Sequence, residues 1–175
     1  MASILILYST TDGHTLKICQ RIQHVIEQQK HHVTLESIDD ASTIELKSFD
    51  KIVIAASIRY GRHRPAVYAF IKNNRETLDS KTNAFFSVSI VARKPGKNKP
   101  ETNPYMKKFL KNTPWHPKDL AVFAGKLDYP RYSFWDRNII RLIMWMTQGP
   151  TQPDTVIEFT DWSEVEAFAQ RVSVM

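Results

Sequence analysis

The 175-residue sequence predicts an α/β fold built on a doubly wound parallel sheet, and three observations carry that prediction. Apolar runs of strand length alternate with helical patterns almost from the first residue, the order expected of βαβ units. The strongest runs are continuous, as in parallel strands covered on both faces. Five such strands with their helices fit the length of one domain, residues 1–175.

The elements follow in chain order. Ile4-Leu5-Ile6-Leu7-Tyr8 is the first buried strand. Residues 14–29 place Ile18, Ile22, Val25 and Ile26 on one helical stripe. His32 to Ile38 reads as the second strand, with Val33, Leu35 and Ile38 apolar, and Ile52-Val53-Ile54-Ala55-Ala56 as the third. Pro65 suits the first turn of the next helix, with Val67, Phe70 and Ile71 inward. Ala84 to Val88 and Leu120 to Ala124 are the fourth and fifth strands. Residues 93–104, rich in Lys, Pro and Asn, read as a loop. Residues 126–155 form a long insert between the fifth strand and a short extension, Val156 to Phe159. A last helix opens at Asp161, with Glu164 placed for a capping box and Trp162, Val165, Phe168, Ala169 and Val172 inward.

Composition narrows the function classes. None of the five glycines completes GxGxxG or GxxxxGK[ST], which excludes a Rossmann fingerprint and a Walker A loop. The single cysteine, Cys19, excludes an internal disulfide, a Cys-rich zinc site and a CxxC pair, and it fits a reducing cytoplasm. His31-His32 has no third ligand in sequence reach, so no metal site is expected. No run reaches the roughly 18 apolar residues of a membrane span, and the short N-terminal run is not a signal segment. Residues 93–141 hold twelve Lys/Arg against four acidic side chains, a net +8, whereas the remainder nets −2. Such a block suits an anionic lipid surface, nucleic acid or a small polycarboxylate, or is simply a solvated basic face.

Ligands of open parallel sheets sit beyond the C-terminal strand ends, which directs attention to loops 9–15, 57–64 and 88–97. Ser9-Thr10-Thr11-Asp12-Gly13-His14-Thr15 puts four hydroxyls at the entrance of a helix. Backbone N–H groups there hold a phosphate without any lysine, and Gly13 allows close approach or a positive φ. The plain alternative is an N-capped turn.

Ile6 to Thr15, with Ile22 further on, resembles the phosphate-loop signature of flavodoxin-like proteins. Cys19 stands where that signature usually has alanine, and Asp12 where it often has a hydroxyl, so Asp12 is expected to cap the helix. The resemblance extends to Ala56-Ser57-Ile58-Arg59-Tyr60-Gly61, to Ser87-Val88-Ser89-Ile90-Val91-Ala92-Arg93-Lys94-Pro95, to Tyr129-Pro130-Arg131-Tyr132, and to Asp136-Arg137 with Leu142-Ile143-Met144. Together these motifs are similar to the quinone-dependent protoporphyrinogen IX dehydrogenases of bacterial heme synthesis.

That resemblance implies a flavodoxin-like sheet of order 2-1-3-4-5 with the insert at its fifth strand. It also implies FMN held by Ser9, Thr10, Thr11, Asp12, Gly13, His14 and Thr15 at the phosphate. Ser57, Ile58, Arg59, Tyr60 and Gly61 on one side, and Ser87, Val88, Ser89, Ile90, Val91, Ala92 and Arg93 on the other, would hold the ring. Arg59 is the candidate catalytic residue, offsetting charge at the pyrimidine edge of the reduced flavin, and Tyr60 is placed to stack. The implied substrate is protoporphyrinogen IX, with Arg93, Lys94, Arg131 and Arg137 as candidate partners of its carboxylates. The implied acceptor is menaquinone or ubiquinone, and the implied location is peripheral, on the cytoplasmic side of the bacterial inner membrane. Six electrons leave the substrate, two per flavin cycle.

Two other readings stay open on the residues. One is a flavodoxin-like electron carrier or NAD(P)H:quinone reductase, against which the basic block weighs. The other is an FMN-less nucleic-acid-binding module, against which the absence of RNP, helix-turn-helix and zinc-finger patterns weighs, so no nucleic acid is expected. Within the insert, residues 134–147 form a helix with a broad apolar arc, Arg137, Asn138 and Arg141 lying opposite. Such a helix either packs its arc on the core or lies in a membrane interface with its arginines toward anionic head groups.

Overall fold

The computed structural model describes residues 1–175. Each apolar run forms a strand: β1 (Ser3–Ser9), β2 (His32–Ser37), β3 (Lys51–Ser57), β4 (Thr82–Ser89) and β5 (Asp119–Ala124). All pair in parallel in the order β2-β1-β3-β4-β5, as expected. Successive side chains of a strand point to opposite faces, so a continuous apolar run builds two cores at once. Ile4 and Ile6 pack under α1 (His14–Gln28) and α6 (Trp162–Val174), against Ile18, Ile22, Phe168 and Val172. Leu5 and Leu7 face the other layer, which holds α2 (Pro65–Asn73), α3 (Arg75–Ser80) and α4 (Pro104–Asn112). In that layer Phe85 stacks on Phe109 at 4.0 Å, with Trp115 edge-on.

Three local outcomes differ from the sequence expectations. First, α4 follows the Lys/Pro/Asn loop directly, started by Asn103, whose side chain accepts from the N–H groups of Tyr105 and Met106. Second, Val156–Glu158 does not extend the main sheet. As β7 it pairs antiparallel with β6 (Lys126–Asp128), and this ribbon closes the base of the insert. The chain leaves the main sheet at Gly125, whose N–H is still given to Ser89, and Phe159 returns to bond the Gly125 carbonyl. Third, Asp161 caps α6 by accepting from Ser163 and Glu164, without a reciprocal bond from the Glu164 carboxylate.

For the insert helix, α5 (Phe134–Met146), the sequence leaves open whether the apolar arc packs on the core or meets a membrane interface. Its apolar arc points mainly outward, and only Met144 is buried, in a small core with Leu127, Tyr129 and Tyr132. Arg137 and Arg141, expected to face away, turn inward. Arg141 Nε donates to the Thr151 carbonyl at 2.7 Å, and Arg137 Nη2 to the Tyr132 carbonyl at 3.4 Å. The irregular chain on both sides of α5 leaves carbonyls without ladder partners, and the guanidinium groups supply the donors.

Cys19 is fully buried beside Ile18 and Ile22, and burial pushes its thiol well above the usual range. A thiol reagent should therefore leave the native protein unlabelled and react only after unfolding. Cys19→Ala should cost about 1 kcal/mol in urea titrations.

Candidate functional site

The strand order reverses beside β1, so the loops after β1 and β3 diverge and leave a crevice at the C-terminal edge of the sheet. One cavity fills that crevice, and it is walled by residues 10–12 with His14 and Thr15, by 57–61, by 88–91 with Arg93, and by the inner side of α5, while Ser9 and Gly13 do not line it.

At one end lies the turn from β1 into α1. Gly13 takes φ +83°, open to glycine and strained for other residues, and its N–H is given to Thr10 Oγ1 at 3.0 Å. No side chain caps α1. Its first-turn N–H groups thus stay available, and the helix dipole adds partial positive charge. Ser9 and Thr15 are each only 1% exposed, and neither hydroxyl has a partner. Buried hydroxyls without partners beside a bare helix N-terminus make a cradle for an anion. His14 is tied elsewhere, its Nε2 lying 2.6 Å from Thr160 Oγ1, which donates to the Ala124 carbonyl. Burial holds the His14 pKa below its ordinary value, with Glu158 pulling the other way.

The next wall is the loop after β3. Ile58 donates to the Val88 carbonyl, and Arg59 and Arg62 bridge across a two-residue turn. The turn residues, Tyr60 (φ +50°) and Gly61 (φ +75°), are both left-handed, as a tight turn of this hand requires. For tyrosine that conformation costs about 1–2 kcal/mol. It is held by the Tyr60 hydroxyl, which donates to Asp136, and by the Arg59 guanidinium over its ring at 5.4 Å.

Arg59 is the hub of the site. Its Nη1 lies 2.8 Å from Asp12 Oδ2, its Nη2 lies 3.0 Å from Asp136 Oδ2, and it also covers the Tyr132 ring. Asp12 is therefore an ion-pair partner, not the helix cap expected from the sequence. A glycine in the left-handed region occupies the cap position and turns the Asp12 side chain toward Arg59.

The third wall is the end of β4. Val88, Ser89, Ile90, Val91 and Arg93 line the cavity, and the buried Ser89 hydroxyl has no partner. Ser87 and Ala92 lie behind the wall. Ser87 shares a 2.8 Å hydrogen bond with the buried His63, and Ala92 packs into the lower core. Of the four basic residues proposed for carboxylates, only Arg93 lines the cavity, and its guanidinium is committed to the Ile90 carbonyl and to Thr147. Arg137 is bound to Tyr132, whereas Lys94 and Arg131 make no ion pair and each adjoins a lining residue.

Sequence reasoning did not assign Tyr105, Gly125, Lys126, Tyr132, Ile140, Ile143, Met144 and Thr147, which complete the walls. Ile140, Ile143 and Thr147 share a helical stripe, but the facing direction of an isolated amphipathic helix is set only by what it packs against.

A model of the flavodoxin domain matches residues 5–154. The chain is 40% identical over 169 residues to the protoporphyrinogen IX dehydrogenase [quinone] of Escherichia coli (strain K12), covering 97% of this chain and 93% of that protein. The protein of that name from Leishmania major is 42% identical over 166 residues, 94% of this chain and 72% of the relative. Among solved structures, a Streptococcus pneumonia TIGR4 flavodoxin superposes with a TM-score of 0.56 at 10% identity over 99% of both chains. An archaeal flavodoxin gives 0.54 at 14% identity, covering 98% of this chain and 96% of its own.

Two tests follow from this geometry. Asp136→Ala removes both anchors of α5 to the 57–62 loop, so trypsin should cut the insert at least about fivefold faster, while the sheet melts within a few degrees of the parent. The second concerns His63, whose pKa burial pushes down to about 4. In the unfolded chain it takes up a proton below its ordinary value of 6.5, whereas the folded protein keeps it neutral to about 4. Stability should thus fall as pH drops through that window, by roughly 3 kcal/mol. The difference between parent and His63→Gln in urea midpoints, followed from pH 7 to pH 4, should shrink or reverse accordingly.

Proposed function

The chain belongs to the flavodoxin-domain family, and from that premise we propose that it is an FMN-dependent enzyme that oxidises protoporphyrinogen IX to protoporphyrin IX and passes the electrons to a quinone in heme biosynthesis. The observation that carries this reading is the whole-length likeness to two relatives of that name, at 40% and 42% identity.

The residues present fit the cofactor. The unpartnered Thr15 hydroxyl, Thr10 and the bare first turn of α1, which line the cavity, suit a phosphate monoester. The Ser57–Gly61 and Val88–Val91 walls offer backbone groups and the Tyr60 ring to a flat heterocycle. When bound, the flavin supplies two-electron acceptance, so the six-electron oxidation takes three rounds. The protein's own part is positional. Arg59, held between two carboxylates, keeps a fixed cation beside the ring site, and Asp136 fixes both Arg59 and Tyr60. Arg93, by binding Thr147, seats the C-terminal end of α5 on the β4 loop. With Arg93 and Arg137 committed to carbonyls, Lys94 and Arg131 are the proposed partners of the substrate carboxylates.

The outward face of α5 supports peripheral membrane docking, proposed here on the cytoplasmic side of the bacterial inner membrane. Phe134, Trp135, Ile139, Leu142, Ile143, Trp145 and Met146 are between 38% and 75% exposed, with Asn138 the sole polar residue among them. Two tryptophans on such a face are characteristic of interfacial anchors. No helix of the chain is long and apolar enough to cross a membrane. Thirteen residues of α5 reach only ~20 Å, against ~30 Å of hydrocarbon. Attraction to anionic head groups then comes from Lys94 and Arg131, each next to a residue that lines the cavity under α5, since Arg137 and Arg141 face the protein. Menaquinone or ubiquinone, both membrane-resident, is the proposed acceptor.

An anaerobic assay should give protoporphyrin only when a quinone is added, and heat should release FMN rather than FAD. Gly13→Val/Thr15→Val should raise the Kd for FMN at least about tenfold, through φ strain and a lost hydroxyl donor. Replacing residues 128–154 by a short Gly/Ser linker should retain FMN, abolish porphyrinogen oxidation and weaken sedimentation with anionic liposomes. Full activity in that deletion, or a colourless parent protein, would overturn the reading.

A further inference from the structure

The cavity and the exposed face of α5 are not separate surfaces. Ile140, Ile143 and Thr147 form the stripe that lines the cavity, while Ile139, Ile143 and Met146 form the adjoining stripe at its rim. Ile143 belongs to both, lining the cavity while 38% exposed. Across the opening stands Tyr60, also a lining residue and 47% exposed. Its hydroxyl is held by Asp136 at the start of α5, which fixes the opening at one end. An apolar path flanked by Asp136 and Thr147 therefore runs from Ile140 in the cavity wall, past Ile143, onto the surface where Trp135 and Leu142 lie. The polar groups beside the path are spent on internal partners: Asp136 on Arg59 and the Tyr60 hydroxyl, and Thr147 on Arg93 and the Ile143 carbonyl.

We infer that this ridge is the tail subsite and entry path of the quinone: the isoprenoid tail stays on Ile139, Ile143 and Met146, continuous with the bilayer, while the ring passes between Tyr60 and Ile143 to the flavin site. This rests on the proposed quinone-coupled function and adds the route and the residues that select a tailed acceptor. An isoprenoid chain is apolar along its whole length and gains by burial in proportion to the area removed from water. A ridge that is apolar from cavity to lipid lets the ring reach the cavity without the tail being exposed to water. Each passage would hand on the two electrons and two protons that one flavin cycle takes from the porphyrinogen, reducing the quinone to a hydroquinone that leaves by the same path.

The test separates the ridge from membrane docking as such. The parent holoenzyme and Ile139→Asn/Met146→Asn are both tethered through a terminal His tag to vesicles carrying a nickel-chelating lipid, so that attachment no longer depends on α5. The flavin is photoreduced anaerobically, and its reoxidation is followed by absorbance with two acceptors of the same ring, one long-tailed and embedded in the vesicle, one tail-less and water-soluble. The ratio of the long-tailed to the tail-less rate is expected to fall at least tenfold in the variant. An unchanged ratio, or both rates falling together, would overturn the ridge as a tail subsite while leaving the quinone reading intact. Failure of either acceptor to reoxidise the parent would overturn the quinone reading itself, and the inference with it.

Discussion

The guanidinium of Arg59 is the joint on which the site depends. The sheet delivers two loops to one edge, but neither loop has a core of its own. The insert beyond β5 is likewise held by only four buried residues, Leu127, Tyr129, Tyr132 and Met144. Arg59 connects all three pieces: Asp12 from the first loop, its own turn from the second, and Asp136 from α5. A planar fork with several donors can serve two carboxylates and still lie on aromatic rings, which lysine cannot do. The pairs are only partly buried, so their worth lies in fixing orientation more than in stability. Orientation is what a flavin site needs, since the cofactor carries the chemistry and the protein places it.

The same joint explains why α5 can expose so much apolar surface without being lost from the fold. Its inward stripe is narrow, with one buried methionine, and most of its attachment is polar. Arg93 reaches Thr147 at one end, Asp136 ties down the other, and Arg141 spans to Thr151 in between. Polar attachment on the inside frees the apolar residues for the outside, the reverse of an ordinary surface helix. Contiguous exposed apolar surface of this extent marks an interaction site more often than chance.

What could be read in the sequence was whatever depends on short range. The buried strands are legible because Ile4 to Leu7 or Ile52 to Ala56 leave no other way to bury both faces, and the sheet order followed once the phosphate loop was matched to a family. The turn from β1 into α1 is legible for the same reason: Thr10, Gly13 and Thr15 lie within one turn of chain. Asp12 was not, because its partner lies 47 positions away. The facing of α5 was not, because an arc of apolar residues opposite arginines reads the same whether the arc or the arginines face inward. The carbonyls of Tyr132 and Thr151 decide it, and only the folded insert brings them under Arg137 and Arg141. The α4 helix had a local signal, Asn103-Pro104 before Met106 and Phe109, that the basic loop beside it obscured.

Net charge illustrates how far composition carries a functional argument. The +8 block suggests a strongly cationic site, yet Arg93, Arg137 and Arg141 are bound to carbonyl oxygens and Lys126 to Asp128. Those charges act as structural donors. What remains free lies on the 94–99 loop, on α4 and at Lys118 and Arg131, and of these Lys94 and Arg131 stand at the rim of the cavity, each next in sequence to a lining residue. A rim of this kind draws an anionic substrate or lipid surface toward the opening through its long-range field. The cations that do line the cavity are all engaged, Arg59 by two aspartates, Lys126 by Asp128 and Arg93 by the Ile90 carbonyl. Attraction and chemistry are thereby assigned to different residues, which is what a site needs if an anionic macrocycle and an uncharged quinone are to reach one flavin in turn.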